Sequence, residues 1–89
     1  MARVFFTTNL RRHVDLPEAE AAGATVRDVL AVVFARESRI GGYVLDDQGA
    51  LRKHMAIIVD GTSLKDRVAL SDPVVATSEI YVFQALSGG

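Results

Sequence analysis

The chain has 89 residues, no cysteine and a formal net charge of −1, a length that suits one domain and is too short for two. With 49% hydrophobic and 24% charged residues its composition is that of a globular protein, which excludes wholesale disorder. The near-neutral balance gives no general electrostatic reason to bind nucleic acid or an anionic membrane, and the missing thiol excludes disulfides, thiolate metal sites and a cysteine nucleophile.

The first residues, MARVFFTTNLRRHVD, carry too short an apolar run and no small-residue cleavage site for a signal peptide. No stretch approaches the roughly 20 apolar residues of a membrane span. A soluble, cytoplasmic protein is expected, and the absence of cysteine suits a reducing compartment.

Residues 3–8, RVFFTT, are β-branched and aromatic and predict a strand. A turn is expected over 9–12. The alternation of His13, Val14, Asp15 and Leu16 predicts a short second strand, ended by Pro17, which cannot donate to a ladder. The clearest helix follows. Thr25 is a good N-cap with Asp28 three places on, and Val26, Val29, Leu30, Val33 and Phe34 form one apolar face. That stripe is expected to face the core rather than a ligand. Gly41 and Gly42 are expected to stop the helix.

Beyond Tyr43, Val44 and Leu45 comes a polar turn over 46–49, DDQG. Residues 54–59, HMAIIV, then predict a strand whose continuous apolar core suits a central position. Asp60–Gly61 is a tight-turn signal, and Ser71, Asp72 and Pro73 mark a turn in the weakly patterned stretch 62–78. The last strand is expected over 79–84. One main helix can cover only one face of a four- to five-stranded sheet, so the fold class is α+β. A hairpin, a helix and a last strand returning beside the first describe a β-grasp sheet. In it the final strand is central, so a domain over residues 1–85 would release residues 86–89 as a tail. Those four residues reach at most about 13–14 Å.

These features resemble the MoaD/ThiS sulfur carriers, ubiquitin-like β-grasp proteins, over essentially the whole chain. The resemblance rests on Leu10-Arg11-Arg12, the helix opening ATVRDVL at 24–30, the strand and turn IIVDG at 57–61, and above all the ending ALSGG at 85–89. The stretch DDQGALRKH at 46–54 looks like the insertion of longer members and tilts the reading away from thiamin. Gln84 stands where the family often has proline. Thr77 and Ser78 stand where a Gly-Asp turn usually introduces the last strand.

The resemblance implies a co-substrate, not an enzyme. An ATP-dependent, ubiquitin-activating-like partner would adenylate the carboxylate of Gly89, and sulfur would replace one oxygen to give a thiocarboxylate. The chemistry is sound on its own terms, since an acyl-adenylate supplies the leaving group that a carboxylate lacks. Gly88, Ser87 and Leu86 would thread the partner's site, where glycines let backbone approach closely. The partners implied are the adenylating enzyme, a sulfurtransferase or other sulfur source, and a sulfur-accepting biosynthetic enzyme. No bound cofactor is expected, ATP being the partner's, and no nucleic acid or membrane. The acceptor could serve cofactor, cysteine or tRNA biosynthesis. A protein modifier joined through Gly89 to target lysines shares every residue, and a β-grasp interaction domain with an idle tail is the third reading. By chance alone a terminal Gly-Gly arises in about one chain in 200.

Other groups carry less. Phe83 is a candidate for partner docking, although alternation is expected to make one of Tyr81 and Phe83 core. The basic clusters with Arg11 and Arg12, and with Arg52 and Lys53, either face a partner or are ordinary solvated charge. The two histidines lack metal-ligand spacing, Asp46-Asp47 is too short for a calcium loop, and neither a serine-hydrolase elbow nor a phosphate loop is present.

Overall fold

The computed structural model describes residues 1–6 and 18–84. In chain order these form β1 (Ala2–Phe6), β2 (Glu18–Ala21), α1 (Val26–Arg36), α2 (Ser38–Val44), β3 (Met55–Val59), β4 (Thr62–Ser63) and β5 (Glu79–Gln84). The five strands make one mixed sheet in the order β2-β1-β5-β3-β4. The last strand is therefore central, parallel to β1 and antiparallel to β3, as the β-grasp reading requires.

Among the described residues, the strand that pairs with β1 begins just beyond Pro17. Glu18–Ala21 runs antiparallel to β1, with Ala2 opposite Ala21 and Phe5 opposite Glu18. The sequence signal for it is weak, because two glutamates and two alanines are poor strand formers. Its two alanines nevertheless turn into the core while the glutamates face outward. The expected strand at residues 13–16 falls outside the described residues.

Helix α1 forms where its apolar stripe predicts, burying Val26, Val29, Leu30 and Val33, with Phe34 packed at the margin. The first backbone donors of a helix need external acceptors, and here a distant loop supplies them. Val26 N–H donates to the Asp72 carbonyl and Arg27 N–H to the Leu70 carbonyl, while Asp28 N–H donates to Thr25 Oγ1 at 3.2 Å. The weakly patterned stretch after β4 thus works as the cap of α1, a role only the tertiary structure reveals.

Gly41 and Gly42 do not end this helix. The chain breaks at Glu37 and re-enters α2, which runs through both glycines to Val44. The reason for Gly41 is packing: a Cβ there would sit 3.3 Å from Phe34 Cβ and Cγ, so glycine lets the two helices close. Tyr43 and Val44 accordingly belong to helix. The end of α2 is capped by Arg52, whose N–H donates to the Val44 carbonyl and whose Nε donates to the Gly42 carbonyl at 2.9 Å.

Both helices cover one face of the sheet. The core joins Val4 and Phe6 of β1, Met55, Ile57 and Val59 of β3, and Ile80 and Val82 of β5 to the helix stripe and to Ile40 and Val44 of α2. The β3–β4 hairpin turns on Asp60 and Gly61, with φ of 49° and 83°, the positive pair that a two-residue type I′ loop demands.

The loop after β4 is organised by two carboxylates. Asp72 accepts from the N–H groups of Lys65 and Asp66. Asp66 accepts from Ser71 Oγ and from the N–H groups of Val68, Ala69 and Ser71. The Ser71 hydroxyl first, and those amides after it, lower the Asp66 carboxyl from its ordinary 3.8 to about 2. A folded-state value below the unfolded one stabilises the fold above the unfolded value, and this contribution is lost as pH falls through the folded one. Acid unfolding followed by circular dichroism is therefore expected to show wild-type stability declining between about pH 4 and pH 2, with a shallower decline in Asp66→Asn.

Candidate functional site

Leu86, Ser87, Gly88 and Gly89 lie outside the described residues, as do Arg11 and Arg12. The structure does define the strand that leads into the tail and the surfaces beside it. Strand β5 is gripped on both sides: Arg3 to Phe6 pair with Glu79 to Val82, and Val59 to Met55 pair with Ile80 to Gln84.

The start of β5 is fixed by a compact polar network that the sequence reading missed. Asp60 Oδ1 accepts from Glu79 N–H at 2.9 Å, and Oδ2 accepts from Ser78 Oγ at 2.8 Å. The Ser78 hydroxyl also accepts from Val75 N–H at 2.9 Å, and the Ser78 carbonyl accepts from Arg3 N–H at 3.0 Å. Ser78 is only 1% exposed, and its bonding satisfies a burial that would otherwise be costly. This network fixes the entry into β5 at the position where the sequence resemblance implied a Gly-Asp turn. The available signal was Asp60, read as a turn former and not as a ligand for the strand opposite.

The far end of β5 is held differently. Met55, opposite Gln84, sends its N–H to the Arg52 carbonyl at 3.0 Å and receives the Arg67 guanidinium on its own carbonyl at 2.8 Å. Both main-chain groups of Met55 thus point away from β5. Antiparallel pairs alternate between bonded and non-bonded, so among the described residues the last hydrogen-bonded pair with β3 is Ala56 and Phe83.

Ile80 and Val82 are fully buried against the helices, so Glu79, Tyr81 and Phe83 share the opposite face. The expectation that one of Tyr81 and Phe83 is core is corrected. Residues two apart in a strand share a face, Tyr81 is 42% exposed, and Phe83 is half-buried. On this helix-free face the strand register aligns Glu18, Phe5, Tyr81, Ile58 and Ser63 in one row. The Phe5 and Tyr81 rings stack, with centroids 4.8 Å apart and planes 17° from parallel. Phe83 sits in the next row, opposite Ala56, toward the tail. Glu20, Arg3 and Glu79 form the row at the other end. An apolar strip therefore crosses the open face and adjoins the point where the chain leaves the sheet.

Of the basic residues, Arg52 is engaged in capping α2, which makes it part of the scaffold, whereas Lys53 is exposed. Among the described residues no group of three or more His, Cys, Asp and Glu side chains could hold a metal, and no helix is long and apolar enough to cross a membrane.

Residues 4–89 match the ThiS family, nearly the whole chain. The protein belongs to the ThiS family. No curated protein sequence matches it significantly, but solved structures do. CysO of Amycolatopsis orientalis, from its complex with BexX, superposes with a TM-score of 0.86 at 23% identity, covering 100% of both chains. CysO of Mycobacterium tuberculosis gives 0.84 at 21% identity, over 97% of this chain and 100% of the other. SAMP1 of Haloferax volcanii gives 0.81 at 22% identity, over 99% and 98%. At these identities the likeness establishes the shared ubiquitin-like β-grasp fold.

The two faces of β5 predict opposite mutational costs. Ile80→Ala removes a fully buried side chain and is expected to lower unfolding free energy by about 2–5 kcal/mol. Tyr81→Ala loses a stack on an open surface and is expected to cost about 0.5–1.5 kcal/mol. Denaturant titration of the two variants checks the contrast.

Proposed function

We propose that this ThiS-family protein is a sulfur carrier, a co-substrate whose Gly89 carboxylate is activated by a separate adenylating enzyme. The observation that carries the reading is the central placement of β5, which runs out of the middle of the sheet five residues before Gly89. From Gln84 that length reaches at most about 17–18 Å, enough to enter a partner's active site while the domain stays outside. A carboxylate oxygen of Gly89 attacks the α-phosphorus of ATP and expels pyrophosphate. A hydrosulfide-level donor then attacks the acyl carbon, AMP departs, and a thiocarboxylate remains. The catalytic groups and the sulfur come from partners.

Docking falls to the helix-free face in this reading. Phe5, Tyr81 and Phe83 make an apolar strip beside the tail, and apolar surface bordered by charge is what protein interfaces select. Lys53, exposed before β3, lies at the periphery. ATP is the partner's substrate, and the sulfur acceptor is a biosynthetic enzyme in a soluble pathway.

A second reading has its own support. SAMP1 of Haloferax volcanii is named a small archaeal modifier protein, and an activated Gly89 would equally acylate a target lysine. The first activation step is common to both readings.

ATP–pyrophosphate exchange with the host's activating enzymes is the deciding experiment. The intact chain is expected to support exchange and a chain lacking Gly88 and Gly89 to abolish it; no exchange with any of those enzymes overturns both readings. Intact mass spectrometry from the native host then separates them. A gain equal to sulfur for oxygen marks the carrier, and conjugates that vanish with Gly88 and Gly89 mark the modifier. Tyr81→Ala is expected to raise KM for the activating enzyme roughly 10- to 30-fold, the loss typical of an aromatic anchor, with kcat little changed.

A further inference from the structure

The point where β5 releases the tail is only as firm as the end of β3 that grips it, and one side chain holds that end. Arg67 lies in the loop after β4, remote in sequence from both strands. A single guanidinium nitrogen, Nη2, donates to the Arg52 carbonyl and the Met55 carbonyl, each at 2.8 Å. The Arg67 carbonyl in turn accepts from Leu51 N–H at 2.7 Å. The loop that presents Arg67 is itself fixed, since the neighbouring Asp66 accepts from the next residues' amides. Three bonds therefore tie residues 51, 52 and 55 to one arginine.

This is the place where β3 would otherwise fray. Strand β4 pairs only with Ile58 and Val59, so among the described residues no strand lies beside the outer side of β3 near Met55. Arg67 supplies the donor that such a neighbour would have offered the Met55 carbonyl. Its target, Met55, immediately precedes Ala56, whose bonds with Phe83 are the last that β3 makes with β5.

We propose that Arg67 is a positioning residue for the reactive tail: by clamping the start of β3 it fixes the Ala56–Phe83 pair and hence the direction in which the chain leaves the sheet. The kinetic part of this inference rests on the adenylation reading above; the structural part does not. Arg67 touches no reacting atom. Its effect is delivery, so its loss lowers the fraction of docked complexes in which Gly89 lies correctly, while docking through the Phe5–Tyr81 face continues.

The test compares wild type, Arg67→Ala and Arg67→Lys as full-length chains, in pyrophosphate exchange and in amide hydrogen exchange of the free protein. Misplacement of a reacting group by about 1 Å costs up to 100-fold, so Arg67→Ala is expected to lower kcat roughly 10-fold or more with KM within about twofold. The lysine ammonium has donors for both carbonyls on a slightly shorter stem, and Arg67→Lys is expected to recover most of the loss. In the free chain the Ala56 and Phe83 amides are expected to exchange at least about 10-fold faster in Arg67→Ala, with Ile58 and Tyr81 unchanged, as for local opening. An unchanged kcat, a loss confined to KM, or faster exchange spread equally over β3 and β5 overturns the proposal. Should the wild-type chain not be activated at all, the adenylation reading fails, and the exchange rates at Ala56 and Phe83 still decide the role of Arg67. Should Arg67→Ala not fold, the lysine variant carries the test: any fall in kcat accompanied by faster exchange confined to Ala56 and Phe83, or wild-type values of both, agrees with the clamp, and wild-type exchange at a kcat lowered 10-fold, or faster exchange at these amides with kcat unchanged, overturns it.

Discussion

The double-sided pairing of β5 is the constraint on which the rest of this molecule depends. A strand that closes the sequence and also occupies the centre of the sheet must be bonded to β1 on one side and β3 on the other. Parallel pairing with β1 cannot be made through a tight turn, so everything between the two strands serves as the crossover. The helices are laid over one face within that crossover, and their apolar stripe buries Ile80 and Val82 from above. The loop after β4 returns to cap α1 before the chain enters β5, which couples the helix layer to the same central strand.

That arrangement divides β5 by parity. The residues facing the helices contribute burial, at about 25 cal/mol per Å² of apolar surface removed from water. Those facing away leave Tyr81 and Phe83 in a strip with Phe5 on the face opposite the helices. An aromatic stack half in water contributes modestly to folding, so the strip is a poor investment for stability alone. Under the proposed carrier reading it has a use: it would bind a partner while the tail enters that partner. Binding and reaction would then be separable, one by a rigid face and one by the carboxylate beyond it.

Much of this is legible in the sequence because it depends on local patterns. The apolar spacing of Val26 to Phe34, the β-branched run ending at Val59, the Asp60–Gly61 turn and the strand at 79–84 all appear where their periodicity or turn chemistry places them. What is not legible depends on distant neighbours. Glu18–Ala21 becomes a strand because β1 offers it an edge and the core accepts two alanines. Gly41 and Gly42 look like a stop signal, but Phe34 needs the space at Gly41 and the helix continues. The parity error at Tyr81 and Phe83 is of another kind, since alternation already placed them on one face. Ser78 and Arg67 carry no pattern at all, and Asp60 signals only its turn; each matters through hydrogen bonds to groups far along the chain.

Gln84 gains a definite meaning from the alternation of the β3–β5 ladder. Met55 turns its main-chain groups toward Arg52 and Arg67, so its partner Gln84 directs its own N–H away from β3, toward the β1 side. A proline at this position, as relatives often have, would remove no hydrogen bond to β3. Within the described residues the grip of β3 on β5 therefore rests on Phe83 whichever residue stands at 84. What proline would add is a fixed φ near −65°, and with Gln84 that rotation is left free. Direction at the sheet is then set by Ala56, Phe83 and the Arg67 clamp, and the residue after them decides only how much of that direction the tail inherits. A chain with glutamine here has more need of a firm last pair than one with proline, and on the proposed clamp the arginine holding Met55 would serve the tail as well as the stability of the fold.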